Sequence, residues 1–175
     1  MDDFIDKGLA ALKGFSMLED WIERNLKNQV FHPDAERDGL AVVILDGTQP
    51  YNRDAWIGYS GGYSPAILLE HSFNEDKWPL DYRHIARGKG RISWRTKMFS
   101  GEVVKLHPEL LEEGDAKYQG AVYYHGLVVS CSGVKSWWDE ALSMSIAAAA
   151  HAFMLEQMEE ISSNDSVDMI GSFFR

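Results

Sequence analysis

The chain has a single cysteine, Cys131, only five prolines among its 175 residues, and few basic side chains. One cysteine excludes an internal disulfide, and no Cys/His grouping has structural-zinc spacing, so neither a cross-link nor a metal builds this fold. Lys and Arg number 17 against 27 Asp and Glu, which gives a net charge of −10. With a pI near 5.0 the chain lacks the clustered cations that phosphate backbones demand, which argues against nucleic acid as a partner. The one basic cluster, Arg83 to Lys97, is interleaved with apolar residues and reads as a solvated helix face. No apolar run approaches the roughly 20 residues of a membrane span, and the opening MDDFIDKGLA is acidic where a secretory leader is basic. A soluble, cytoplasmic protein with no membrane partner is expected. Neither a 20–50-residue repeat nor a low-complexity tract is visible.

What is present is a core. At 45% hydrophobic and 12% aromatic, residues 1–175 suffice for one domain and not for two. The stretch Tyr118 to Glu156 organises it. Two short apolar runs, Ala121–Tyr124 and Leu127–Ser132, flank His125-Gly126, and a glycine at the second loop position supplies the positive φ of a two-residue hairpin. Beyond Gly133 the period changes, with Leu142, Ile146, Ala149 and Phe153 at helical spacing. Ser136 and Asp139 have the form of a capping box. The run Ile146 to Ala150 carries no bulky side chain after its first residue, so another element is expected to lie close against it.

Upstream, helical spacing predicts two helices within residues 3–27, divided at Gly14 and restarted by a Ser16/Glu19 capping box, packing on the domain or on a partner subunit. Leu40–Leu45, closed by Asp46-Gly47, reads as a central strand covered on both faces. Its expected partner is Ala55–Tyr59. Ser64 and Pro65 read as a helix start. A helix is expected from Asp81 to Phe99, interrupted near Gly88 and Gly90, with Ile85, Ile92 and Trp94 inward. His107 to Leu111 reads as a short helical turn and Glu112 to Asp115 as a surface loop.

The run Gly120-Ala-Val-Tyr-Tyr-His-Gly-Leu-Val-Val-Ser-Cys-Ser-Gly133, followed by Asp139-Glu140-Ala141, resembles the closing signature of the GlcG/HbpS family. Ile85 to Ile92 is similar to that family's helix carrying "A-x-x-K-A", with Lys89 on its Lys, and Leu40–Asp46 to its "V-x-V-V-D" strand. The resemblance covers roughly Leu40 to Phe153 and is specific only in its last third. Gln119-Gly120-Ala121 lacks the family's second Gly, and residues 48–82 are longer and more aromatic than the pattern. It implies an α/β (α+β) fold, with an antiparallel sheet of about five strands flanked by helices in a profilin-like layout. It also implies a closed homo-oligomer and a small-molecule ligand, with haem or another tetrapyrrole as a possible cofactor.

Two functional readings follow. In the first, a planar or aromatic ligand lies in an aromatic-lined cleft near Tyr124, His125 and Trp137, with Tyr123, Tyr63, Arg95, Lys89 and His84 as further binding residues and His125 able to act as an axial ligand. Arg95 is suited to clamp a carboxylate there, and His84 stands near Lys89 on the same helix. The paired indoles Trp137-Trp138 are too bulky for both to be buried, so one is expected at a pocket or an interface. In the second, a cofactor-independent isomerase, lyase or cyclase uses His125, Tyr124, Asp139 and Glu140 as an acid–base set. Each residue also has a plain structural role open to it: His125 as a solvated turn residue, Asp139 and Glu140 as first-turn acids favoured by the helix dipole. Cys131, on a buried strand, is expected to act as a small hydrophobe.

Overall fold

The computed structural model describes residues 5–31, 39–49 and 67–173, with side chains as far as Ser163. At its centre is β1, Leu40–Asp46, whose seven residues are all buried. It pairs antiparallel with β2, Ile67–Phe73, on one side and with β4, Leu127–Ser132, on the other. The hairpin partner β3, Ala121–Tyr124, completes the order β2-β1-β4-β3. The described residues therefore hold four strands rather than about five. Val42 faces Cys131 and Ile44 faces Val129, the register that keeps both strands' alternate apolar sets on matching faces.

A continuous apolar strand needs cover on both faces, and β1 has it. Leu40, Val42 and Ile44 pack against α1, Lys7–Lys27, and α4, Ser136–Phe173. Ala41, Val43 and Leu45 pack beneath α2, Tyr82–Thr96. The short α3, Ser100–Leu106, follows α2. The result is a mixed α/β fold in three layers, two long helices over one sheet face and one helix over the other. No helix among the described residues is long and apolar enough to cross a membrane.

The hairpin forms as its residues dictate: His125 at φ 46° and Gly126 at φ 84° make the paired left-handed turn that suits the strand twist. Elsewhere tertiary packing overrides local signals. The N-terminal segment is one helix, capped by the Asp6 carboxylate, which accepts from the Leu9 N–H at 2.9 Å. Gly14 does not break it, and Ser16 lies inside it. A Cβ on Gly14 would sit 2.4 Å from the Ala150 nitrogen, so the glycine and the alanine run of α4 together allow two backbones to approach closely. The helices run antiparallel, with the Asp6 N–H donating to Gln157 Oε1 at one end and the Phe31 and Trp138 rings meeting at the other. Both α2 glycines are likewise spanned by a continuous helix, at about 1 kcal/mol each in lost propensity. The helix start read at Ser64 and Pro65 lies outside the described residues, as does the expected strand partner, residues 55–59; the residues that follow, Ile67–Phe73, form strand β2 on β1's second edge.

Replacing Gly14 by alanine at an exposed helical position would add about 1 kcal/mol of stability. Here we expect a net loss of roughly 1–3 kcal/mol from overpacking. Urea unfolding of Gly14→Ala decides the sign, and a gain would mean the close helix contact is absent.

Candidate functional site

Three elements converge at the end of the sheet where β4 finishes. Helix α2 carries Lys89 across the face of β4, the strand ends at Ser132, and Gly133 at φ 145° turns the chain into α4. Asp139, in the first turn of α4, points back under this loop. Lys89 Nζ donates to Asp139 Oδ2 at 2.7 Å and to the Cys131 carbonyl at 3.0 Å. Both side chains are nearly sealed from solvent, at 2% and 3% exposure. Asp139 Oδ1 accepts from the Val134 N–H at 3.3 Å, and the Gly133 N–H also reaches the carboxylate. The capping box expected of Ser136 and Asp139 is thus displaced. The carboxylate serves the buried ammonium instead, because an unpaired charge there would cost several kcal/mol against about 1 for a missing cap.

Burial pushes the Asp139 carboxyl up to about 6, against which the Lys89 charge and hydrogen bond act only partly. Burial pushes the Cys131 thiol up to about 12, so it stays protonated and acts as the small hydrophobe expected.

Beside the pair opens a cleft of about 350 Å³, within the lower part of the range for small-molecule sites. Lys89 and Asp139 are in its wall, with Tyr82, Ile85 and Val134, and Tyr118, Leu80 and Trp137 stand around its mouth. Trp137 is 60% exposed while its neighbour Trp138 packs against the core, so one indole of the pair is indeed left at a pocket. A second hollow of about 340 Å³, lined by His84 and Lys117, adjoins the first across Ile85 and Tyr118. The segment that carries Tyr118 is pinned by charge. Asp115, expected in a surface loop, has a side chain only 1% exposed, held by Arg91 Nε at 2.7 Å and Arg95 Nη2 at 2.9 Å. Burial opposes its ionisation, yet hydrogen bonds from Arg95, the Glu112 N–H and Arg91 keep its pKa below the ordinary value.

Of the ten residues singled out from the sequence, the structure brings Lys89, Asp139 and Trp137 together and puts His84 next door. Arg95 is a clamp, but on Asp115 and the Leu110 carbonyl rather than on a ligand. His125 and Tyr124 sit at the hairpin turn, about 20 Å from Asp139 along β4 at the usual rise per residue. There the His125 ring stacks on His151 at 3.9 Å and 5°, with Tyr124 edge-on at 4.4 Å. Neither the cleft expected between Tyr124, His125 and Trp137 nor the acid–base set of His125, Tyr124 and Asp139 is therefore assembled: Trp137 lines the cleft at one end of β4 and the other two stand at the turn beyond its other end. Glu140 projects away from the cleft, toward Gly101 and Gln119. Tyr123 lies under the Lys97 ammonium on the α2 side of the sheet, and Tyr63 falls outside the described residues. Tyr82, Ile85 and Lys89 fall at i, i+3 and i+7, a helical stripe visible in sequence once α2 is read as unbroken.

Among the described residues no imidazole, thiol or thioether reaches the cleft, and the phenols of Tyr82 and Tyr118 are its only side chains of a type that ligates haem iron. No grouping of three or more metal-ligating side chains occurs among the described residues. Compared with known protein families and with curated proteins, the chain matches no family model and no curated sequence.

Two outcomes test this geometry. Lys89→Met should destabilise the fold by about 3–5 kcal/mol by stranding a buried carboxylate, whereas the double variant Lys89→Met/Asp139→Leu should recover most of that loss. Guanidinium titration of both gives the comparison. The second concerns pH. Asp139 holds its proton in the fold up to about 6 but in the unfolded chain only to the ordinary 3.8, so its contribution to stability is complete below pH 4 and lost as pH rises to 6. Asp46, whose pKa is about 2, acts in the opposite sense, losing its contribution as pH falls from 4 to 2. Stability–pH curves of the natural chain and Asp139→Asn should diverge between pH 4 and 6 and run parallel below.

Proposed function

We propose that the chain is a small-molecule-binding protein of the GlcG/HbpS type, holding a planar or aromatic ligand in the cleft beside Lys89 and Asp139. The observation that carries this reading is the 2.7 Å contact between these two side chains in the wall of an aromatic-rimmed cleft. Lys89 and Asp139 stand 50 positions apart in two separate segments that resemble the family, and a chance resemblance gives no reason for them to meet. A buried ion pair is also weak evidence for stability, so a role for it in a ligand site is the more economical account. The profilin-like layout and the homo-oligomer belong to the same proposal. The antiparallel sheet with helices on both faces supports the first, and exposed Leu12, Met17 and Trp21 along α1 support the second.

A second reading, a cofactor-independent enzyme, is favoured by one observation: a carboxyl held near 6 beside an ammonium is suited to proton transfer near neutral pH. Its acid and base are then Asp139 and Lys89, in place of His125 and Tyr124.

Quenching of tryptophan emission by small planar aromatics such as quinoline, naphthol and flavone tests the binding reading. Saturable quenching is expected, with Trp137→Ala losing about tenfold in affinity, on the order of 1.4 kcal/mol, at unchanged stability. Quenching that never saturates, or that is indifferent to Trp137, removes the cleft as the site.

A further inference from the structure

Independently of what the cleft holds, we infer that the stacked imidazoles of His125 and His151 form a pH-sensitive latch. It fastens the β3–β4 turn to α4 while at most one ring carries a proton, and releases the turn when both do. The two rings lie 3.9 Å apart and parallel within 5°, and the Tyr124 ring stands perpendicular to both, at 4.4 Å from His125 and 5.4 Å from His151. Among the described residues neither imidazole makes a hydrogen bond through its ring nitrogens. Parallel planes aim those nitrogens side by side rather than at a common point, so the pair is not arranged as a chelate. Its chemistry is that of protons.

Each histidine stands where local structure favours another residue. His125 takes φ 46° at the first position of the turn, where Asn, Asp or Gly suits the left-handed backbone best. His151 is the one large polar side chain between Ile146 and Ala152, in a stretch otherwise built of alanine that lets α1 approach at Gly14. What the two exceptions share is their contact with each other. The contact joins the tip of the hairpin to the middle of the long helix, and His125 is exposed enough for protons to reach it.

One proton leaves an imidazolium on a neutral ring, which keeps the stack, whereas two put like charges face to face. The neighbouring elements offer the second charge no free counter-ion. From Ala147 to Leu155, α4 has no other ionisable side chain, and β3 contributes only the Tyr124 phenol. Lys7 of α1 and Asp46 at the end of β1 bond to each other at 2.8 Å, and Lys97 lies across the sheet over Tyr123. Burial and the His125 charge accordingly lower the His151 pKa below its ordinary 6.5. The sign follows: the contribution of His151 to stability is complete above pH 6.5 and is lost as pH falls below it, the reverse of Asp139. Release is local. Leu127 is sealed against Ala10, Ala150 and Met154, and the Gly126 carbonyl accepts from the Gly47 N–H at 2.8 Å, so the strands stay paired and the turn side chains alone are freed.

NMR titration of the imidazole protons in the full chain tests this. The two rings are assigned through His125→Asn, which suits the turn, and His151→Ala, which suits the helix. We expect the pair to titrate in two separated steps, the second below the ordinary value of 6.5. In His125→Asn the His151 pKa should rise, and in His151→Ala the remaining imidazole should titrate in a single step. Magnetisation transfer between the two rings should be present at neutral pH and lost in the second step, with the Tyr124 ring signals moving over the same range. If a variant does not fold, the two steps and the loss of ring contact in the natural chain carry the test. Rings that titrate independently, each unmoved by removal of the other, overturn the latch. So do rings that remain in contact once both are protonated.

Discussion

The contact on which the rest depends is the ion pair between Lys89 and Asp139. It ties α2, on one face of the sheet, to α4, on the other, around the end of β4. Each partner is sealed well enough that neither tolerates losing the other, so the spacing of the two helices is set at this point and the cleft takes its width from it. The second acceptor of Lys89, the Cys131 carbonyl, adds the strand to the same junction. An apolar pair of similar volume would hold the layers as well or better. That a charged pair stands there is the reason to look for chemistry at this end of the sheet.

The surroundings of the pair are built to keep it fixed. Arg91 and Arg95 hold Asp115, Asp115 holds the Glu112 N–H, and the short segment so anchored ends at Tyr118, one lip of the cleft. The other lip, Trp137, stands on the first turn of a 38-residue helix that is itself clamped to α1 through Gly14 and the alanine run. Both lips therefore ride on supports whose own positions are determined by buried contacts, which is the condition for a pre-formed site.

How much of this was legible in the sequence depended on the range of the interaction. The β3–β4 hairpin was readable because turn chemistry is local: His125 and Gly126 specify it by themselves. The central strand was readable because seven buried residues leave no polar alternation. Residues 7–27 and 82–96 were misread at their glycines, since a glycine inside a helical pattern signals either an end or a close neighbour, and only the neighbour's coordinates separate the two. Gly14 is such a case. Strand β2 was missed because Ser64-Pro65 is a strong local start signal, whereas Ile67–Phe73 becomes a strand only by pairing with β1. In the site, Lys89 and Asp139 were each marked by the family resemblance, but nothing in sequence said that they touch. His125 drew attention as an imidazole on a turn, and a turn at the far end of a six-residue strand cannot serve a cleft at the near end.

The two ends of the sheet show how one residue type is put to opposite uses. Asp46 ends β1 and accepts from Lys7, from both the backbone and hydroxyl of Thr48, and from Gln49, enough donors to outweigh the cost of burial and hold it ionised down to pH 2. That carboxylate is a fixed anion, and its donors come from α1 and from the turn that follows β1. Asp139 is buried more deeply and has one ammonium and two backbone N–H groups, too few to offset desolvation. Its charge is therefore conditional on pH. A carboxylate whose ionisation is over-determined can only hold structure. One whose ionisation stands near balance changes charge over a narrow span of pH, and in this molecule that one lies in the wall of the cleft.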